Sequence, residues 1–220
     1  QNNLSPLPAA LKLELLESFV NRSNYGDDME SYDSWLRHQY GDLIAERYPL
    51  KYTKKYWQTN AANLSTTWIG NRMRRAELRE ILLGALTDET PNTYYTKEMR
   101  YPKHGGFRSF LHPLIEAADL RCGAKVVGID LDVREVQFAD GSCCGYETLV
   151  NTIPLPEFVR ICVQSTETET LAANQLMCTS IDLVSVGFNS VIPPALWFYI
   201  YDEDIFASRA YAPSIKSPNN

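Results

Sequence analysis

Across residues 1–100 the apolar positions fall three and four apart, the period of helices that bury one face. Leu11, Leu15, Leu16, Phe19 and Val20 follow Pro8, a residue suited to a helix opening. Asp33 can cap a helix carrying Trp35, Leu36 and Tyr40 that stops near Gly41. Leu43, Ile44, Tyr48, Leu50, Tyr52 and Trp57 continue the helical spacing, and Leu78, Ile81, Leu82 and Leu86 repeat it.

The pattern changes at Tyr101. Pro102, Gly105 and Gly106 predict a loop, and Phe107, Phe110, Leu111, Leu114 and Ile115 one further helix. Short apolar runs and alternation follow, which predict strands at 125–129, 133–138 and 146–153. Asp140-Gly141 lies between the last two and is a favoured pair for a hairpin tip. Pro154 and Pro156 end the returning strand. Short helices are expected at 158–163 and 171–176, and strands at 179–188, 196–201 and 206–211. The reading is an α+β chain: a helical N-terminal half, then a β-hairpin and meander, then mixed-sheet strands. Segments 1–100, 101–165 and 166–220 are expected as its three parts.

Composition narrows the function classes. With 45% hydrophobic and 11% aromatic residues, the 220-residue chain can build a core. A net charge of -6 without a basic stretch argues against nucleic-acid binding, which needs clustered Lys and Arg. The short basic groups at 51–55 and 72–75 read as solvated helix faces. Five cysteines, at 122, 143, 144, 162 and 178, show no CxxC spacing, so neither a metal site nor a disulfide framework is expected. Free thiols, no signal peptide and no long apolar run predict a soluble cytoplasmic protein without a membrane partner. His38, His104 and His112 form no triad with a placed Ser or Cys.

The most specific signal is an ordered set of short motifs. Tyr101-Pro-Lys-His-Gly-Gly-Phe107 precedes a helix, then Val126-Val-Gly-Ile-Asp130, the hairpin, and Tyr146-Glu-Thr-Leu-Val-Asn-Thr-Ile-Pro-Leu-Pro156. This order resembles the central region of the FAD-dependent amine oxidase, protoporphyrinogen oxidase and UDP-galactopyranose mutase group. Lys51-Tyr-Thr-Lys-Lys-Tyr-Trp57 with Asn63-Leu-Ser65, Gln1-Asn-Asn-Leu4, and Trp197-Phe-Tyr-Ile-Tyr-Asp202 with Ser208-Arg209 resemble the mutase-like subgroup. The group's G-x-G-x-x-G pyrophosphate loop occurs nowhere in the chain, so the resemblance implies an internal piece of a larger α/β FAD-binding fold.

The resemblance also implies site residues. Val126 matches a position whose main chain contacts the adenine of FAD. Thr152 and Pro154 match a turn beside the cofactor, and Gly105 and Gly106 the loop that approaches it. Tyr52 and Trp57 match an aromatic wall over a uracil and a sugar. Arg209 matches an arginine at the flavin and the substrate phosphates, where a planar charged fork suits a diphosphate. Phe107 stands where the true mutases carry a Tyr, and a diphosphate-binding arginine falls on Asn71 or, with a one-residue slip, on Arg72. The implied function is part of a FAD-dependent oxidoreductase acting on a small molecule. The alternatives are a mutase acting on a nucleotide sugar and a non-catalytic module that has lost FAD.

Overall fold

The structure is a computed structural model that describes residues 3–22, 29–70, 73, 76–88, 100–190 and 197–217. The chain divides into two compact units, Gln1–Phe110 with Phe188–Asn220, and Leu111–Gly187.

Unit 1 is built on helices α1 (Ala9–Val20), α2 (Tyr32–Tyr40), α3 (Asp42–Arg47), α4 (Pro49–Trp57) and α5 (Leu78–Leu86). The periodic apolar positions become its core. Leu15 and Phe19 of α1, Leu36 of α2, Ile44 of α3 and Ile81 of α5 are fully enclosed. Burying each such side chain stabilises by about 1.5–3 kcal/mol. The cap of α2 is Ser31, not Asp33. Ser31 Oγ accepts from Ser34 N–H at 3.3 Å, and Ser34 Oγ faces the Ser31 amide at the same distance. The short serine hydroxyl precedes the helix and meets its third amide, whereas Asp33 lies inside the first turn. There Asp33 bonds Arg37 one turn on, at 2.8 Å. Gly41 closes α2 and opens α3 with φ +75° and ψ 161°, a conformation reserved in practice for glycine.

Unit 1 also holds a hairpin of β4 (Trp197–Tyr199) and β5 (Arg209–Tyr211), antiparallel with Tyr199 opposite Arg209. The ladder continues one step further, through Ile200 N–H to Ser208 O at 3.0 Å.

Unit 2 contains most of α6 (Arg108–Ala117), a three-stranded antiparallel sheet and two short helices. The strands β1 (Val126–Asp130), β2 (Glu135–Phe138) and β3 (Cys143–Gly145) lie in that order. Asp140-Gly141 is the tip, with Gly141 at φ +85° and its N–H on Phe138 O at 3.0 Å. The return strand is Cys143–Gly145 rather than 146–153. Arg134, at φ +57°, starts β2 no earlier than Glu135, whose partner is already Gly145. Among the described residues the returning chain has no strand to pair with beyond Gly145, and the Tyr146 N–H to Arg134 O bond ends the ladder. α7 (Leu155–Ile161) begins behind Pro154, and α8 (Glu167–Asn174) carries a Thr166–Glu169 capping box.

The strand expected at 179–188 is not formed, because this segment pairs with no other strand among the described residues. β propensity alone does not hold an extended chain without a ladder. The mixed α+β reading holds for the chain as a whole. No helix among the described residues is long and apolar enough to cross a membrane.

Candidate functional site

α4 carries two rows of side chains one helical turn apart. Tyr48, its N-cap, precedes Tyr52 and Tyr56 in one row, and Lys51 and Lys55 make the other. The aromatic row meets the β4–β5 hairpin. Tyr52 packs edge-on to Tyr199 with ring centroids 4.8 Å apart and stacks on Tyr56 at 5.5 Å. Tyr48 meets Tyr201 at 5.3 Å, and Tyr56 meets Trp57 at 5.2 Å. The Arg209 guanidinium lies 6.0 Å from the Tyr56 ring centroid, at the edge of cation–π range. Arg209 is exposed, and no carboxylate among the described residues pairs with it.

This arrangement sets the electrostatics. Burial pushes the Tyr52 phenol up to about 12, while the Arg209 charge pulls it the other way. Burial likewise raises Tyr201 to about 12, helped by the neighbouring Tyr199 and Tyr48. At neutral pH these phenols are protonated, so Tyr52 can donate a hydrogen bond beside a permanently charged fork.

A second cluster surrounds the Gly-Gly loop. Gly105 and Gly106 both take positive φ, 73° and 57°. The Gly106 N–H is already engaged by Ser217 Oγ at 3.3 Å, and that buried hydroxyl donates to Lys103 O at 3.2 Å. Phe107 is 61% exposed and packs edge-on to Phe110, which meets Tyr101. Lys216 Nζ lies between the Tyr101 and Tyr211 rings, at 5.4 and 5.2 Å. Tyr211 and Arg209 are two apart on β5 and share a face. The hairpin thus links the α4 aromatic row to the surroundings of the Gly-Gly loop.

Tyr52 and Arg209 are therefore brought into one cluster, and Gly105, Gly106 and Phe107 into its neighbour on unit 1; Trp57 is exposed and meets only its sequence neighbour Tyr56 among the described ring contacts. Val126, Thr152 and Pro154 lie on unit 2. Val126 starts an edge strand, pairs with Phe138 and is followed by a bulge. Among the described residues the outer edge of β1 carries a single bridge, from Ile129 to Cys162, with Val163 N–H on Ile129 O at 2.9 Å. Thr152 is exposed, and the Pro154 carbonyl accepts the first amides of α7, from Glu157 at 2.9 Å and Phe158 at 3.0 Å. Asn71 and Arg72 lie outside the described residues.

The structure adds Tyr56, Tyr199, Tyr201 and Lys55 to the cluster. Their signal was present as the four-residue repeat of Tyr48, Tyr52 and Tyr56 and as the aromatic run entering Tyr201. Lys55 corrects the reading of 51–55 as a solvated face: its ammonium contacts four main-chain carbonyls of the β4–β5 loop. Lys51 is tied to Glu203 at 2.9 Å. The 51–55 segment faces a folded loop that the linear charge pattern does not reveal. Among the described residues no group of three His, Cys, Asp or Glu could hold a metal ion.

These helices, hairpins and small antiparallel sheets make an α+β fold of the mutase kind. The particular likeness is to the crystal structure of reduced UDP-galactopyranose mutase, with a TM-score of 0.74 over 99% of this chain and 18% sequence identity. The chain spans 50% of the length of that structure. No family model matches the chain.

Proposed function

We propose that the chain is part of a FAD-dependent enzyme of the amine oxidase and mutase group. In this reading the α4–hairpin face of unit 1 receives an anionic ligand bearing a flat ring. The observation that carries it is Arg209: an exposed guanidinium with no carboxylate partner among the described residues, held near the Tyr56 ring and the Tyr52 phenol. Rings offer a stacking wall to a base or a flavin, and the fork offers two parallel donors to a phosphate.

FAD needs an edge for its adenine and donors for its pyrophosphate. Val126, at the start of an edge strand, suits a flat base met by main chain. Gly105 and Gly106 have the backbone freedom for close approach, though the Gly106 amide is taken by Ser217. The sequence offers no G-x-G-x-x-G helix start for the pyrophosphate. Taken separately, unit 2 thus offers a strand edge suited to the adenine and unit 1 a loop suited to close approach, and neither offers the pyrophosphate donors. When bound, the flavin would supply the electron-transfer chemistry. A nucleotide-sugar mutase is a second reading, favoured by the TM-score of 0.74 to UDP-galactopyranose mutase.

Calorimetric titration with UDP, uridine and pyrophosphate tests the ligand class. UDP is expected to bind more tightly than either fragment. Arg209→Lys should weaken UDP at least about tenfold, about 1.4 kcal/mol, with melting unchanged, because a point charge replaces a fork. Equal, weak responses to all three ligands would remove this face from the site.

A further inference from the structure

The loop joining β4 and β5 is held in an unusual way. Residues 202–207 are exposed, and Phe206 projects fully into solvent. The hairpin has only three paired positions on each strand, and an isolated hairpin is marginal in water. Four carbonyls of the loop nevertheless converge on one point. Ile200 O lies 3.0 Å from Lys55 Nζ, Asp202 O 2.8 Å, Ile205 O 2.8 Å and Ala207 O 2.9 Å. An ammonium has three N–H donors, so four oxygens at these distances surround a compact cation rather than answering separate donors. Rings of carbonyl oxygens serve elsewhere as cation cages on the same principle.

Geometry gives this cage a consequence for the candidate site. Arg209 follows the loop after one residue, and Tyr199 precedes it directly. The same helix supplies the Tyr52 and Tyr56 rings, so Lys55 fixes the hairpin to the surface against which Arg209 is set. The Lys51–Glu203 pair is a second tie, but it joins two partly exposed groups and is weak by comparison.

We propose that Lys55 is the built-in cation of a carbonyl cage in the β4–β5 loop, that it positions Arg209 and Tyr199 for an anionic ligand, and that the cage accepts a primary ammonium ion from solution when the lysine side chain is removed. The positioning role rests on the ligand reading of Arg209; the cage itself does not.

Lys55→Ala removes three carbons and a nitrogen, the heavy atoms of propylammonium, so that ion is the matched replacement. Hydrogen exchange of the amides at 199–209 and UDP titration are measured with propylammonium chloride and with tetramethylammonium chloride at equal ionic strength. The variant should exchange faster and bind UDP more weakly, each by at least about tenfold. Propylammonium should restore both, and tetramethylammonium, which has no N–H, neither. Lys55→Met, which keeps a long apolar stem, should lose the same protection and covers the case in which the alanine variant fails to fold. Lys55→Arg should not rescue, since a planar fork does not fill a compact cage. Unchanged loop protection in the variants, or a loss that propylammonium does not repair, would overturn the proposal. If the unaltered protein fails to bind UDP while the exchange results hold, the cage stands and the ligand reading is what has failed.

Discussion

Gly41→Ala places a methyl group where the fold has no room for one. An ideal Cβ at this position would lie 2.5 Å from Ser18 O and 2.8 Å from Ser18 C, both main-chain atoms of α1. A helix backbone cannot swing aside as a side-chain tip can. The residue also sits at φ +75°, ψ 161°, where a non-glycine residue costs of order 1–3 kcal/mol. Forcing an extra carbon into a packed interior adds typically about 1–3 kcal/mol. The sum, about 4 kcal/mol, is a large part of the 5–15 kcal/mol or so by which a domain is usually stable. Urea unfolding followed by tryptophan fluorescence is the suitable assay. All four tryptophans, at 35, 57, 68 and 197, belong to unit 1 and report on it alone. Gly70→Ala is the control. Gly70 is left-handed too, at φ +43°, but has nothing within 4 Å of its would-be Cβ, so it should show only a backbone penalty of about 1–2 kcal/mol. A Gly41→Ala loss no larger than that of Gly70→Ala would refute the close approach of α1 to the α2–α3 corner.

Ser217→Ala should destabilise unit 1 by about 1–3 kcal/mol, the range for leaving a buried polar group without its partner. Faster exchange of the Gly106 amide would accompany it, and an unaffected Gly106 would show that Ser217 does not hold the loop. In unit 2, the Val133 amide, the Gln164 side chain and the Asp132 amide together hold the Asp130 carboxyl below the ordinary carboxylate range. Its support is therefore present above the unfolded pKa of about 3.9 and is lost as pH falls through the depressed folded value. Acid should release the 131–134 turn in the native protein, less so in Asp130→Asn, and identical acid profiles of the Val133 amide would contradict this. Gly141→Val should destabilise the β2–β3 hairpin by roughly 1 kcal/mol or more, because a β-branched residue resists φ +85°. Unchanged melting of unit 2 by near-ultraviolet dichroism would count against the turn.

Much of the fold was legible where periodicity and local chemistry agree. Leu15, Phe19, Leu36, Ile44 and Ile81 announce their burial by spacing, and Asp140-Gly141 announces a tip by the φ that glycine permits. Features that depend on a distant partner were less legible. The strand ending at Gly145 is short because β2 starts late, which its own residues do not encode. Segment 179–188 has strand composition and no strand to join among the described residues. At the candidate site, motif order pointed to Tyr52, Trp57 and Arg209, of which Tyr52 and Arg209 lie near each other around Tyr56. Lys55 was read as one charge among several, because the carbonyls it meets are about 150 residues away along the chain. Side-chain composition says nothing about where main-chain oxygens will converge.

Segment 179–188, unpaired among the described residues, bears on how the protein must be handled. Ile181, Leu183, Val184, Val186 and Phe188 are between 62% and 87% exposed, within a run that has no proline. Short apolar runs of this kind are templates for intermolecular sheet growth when their backbone groups are open. At high concentration the 220-residue chain is therefore expected to scatter light and bind amyloid dyes, with self-association seeded from this stretch. A second negative charge near Asp182, as in Val184→Glu, should delay the onset without altering unit 1 tryptophan fluorescence, and would be the first change to make before preparing concentrated samples for crystals or NMR.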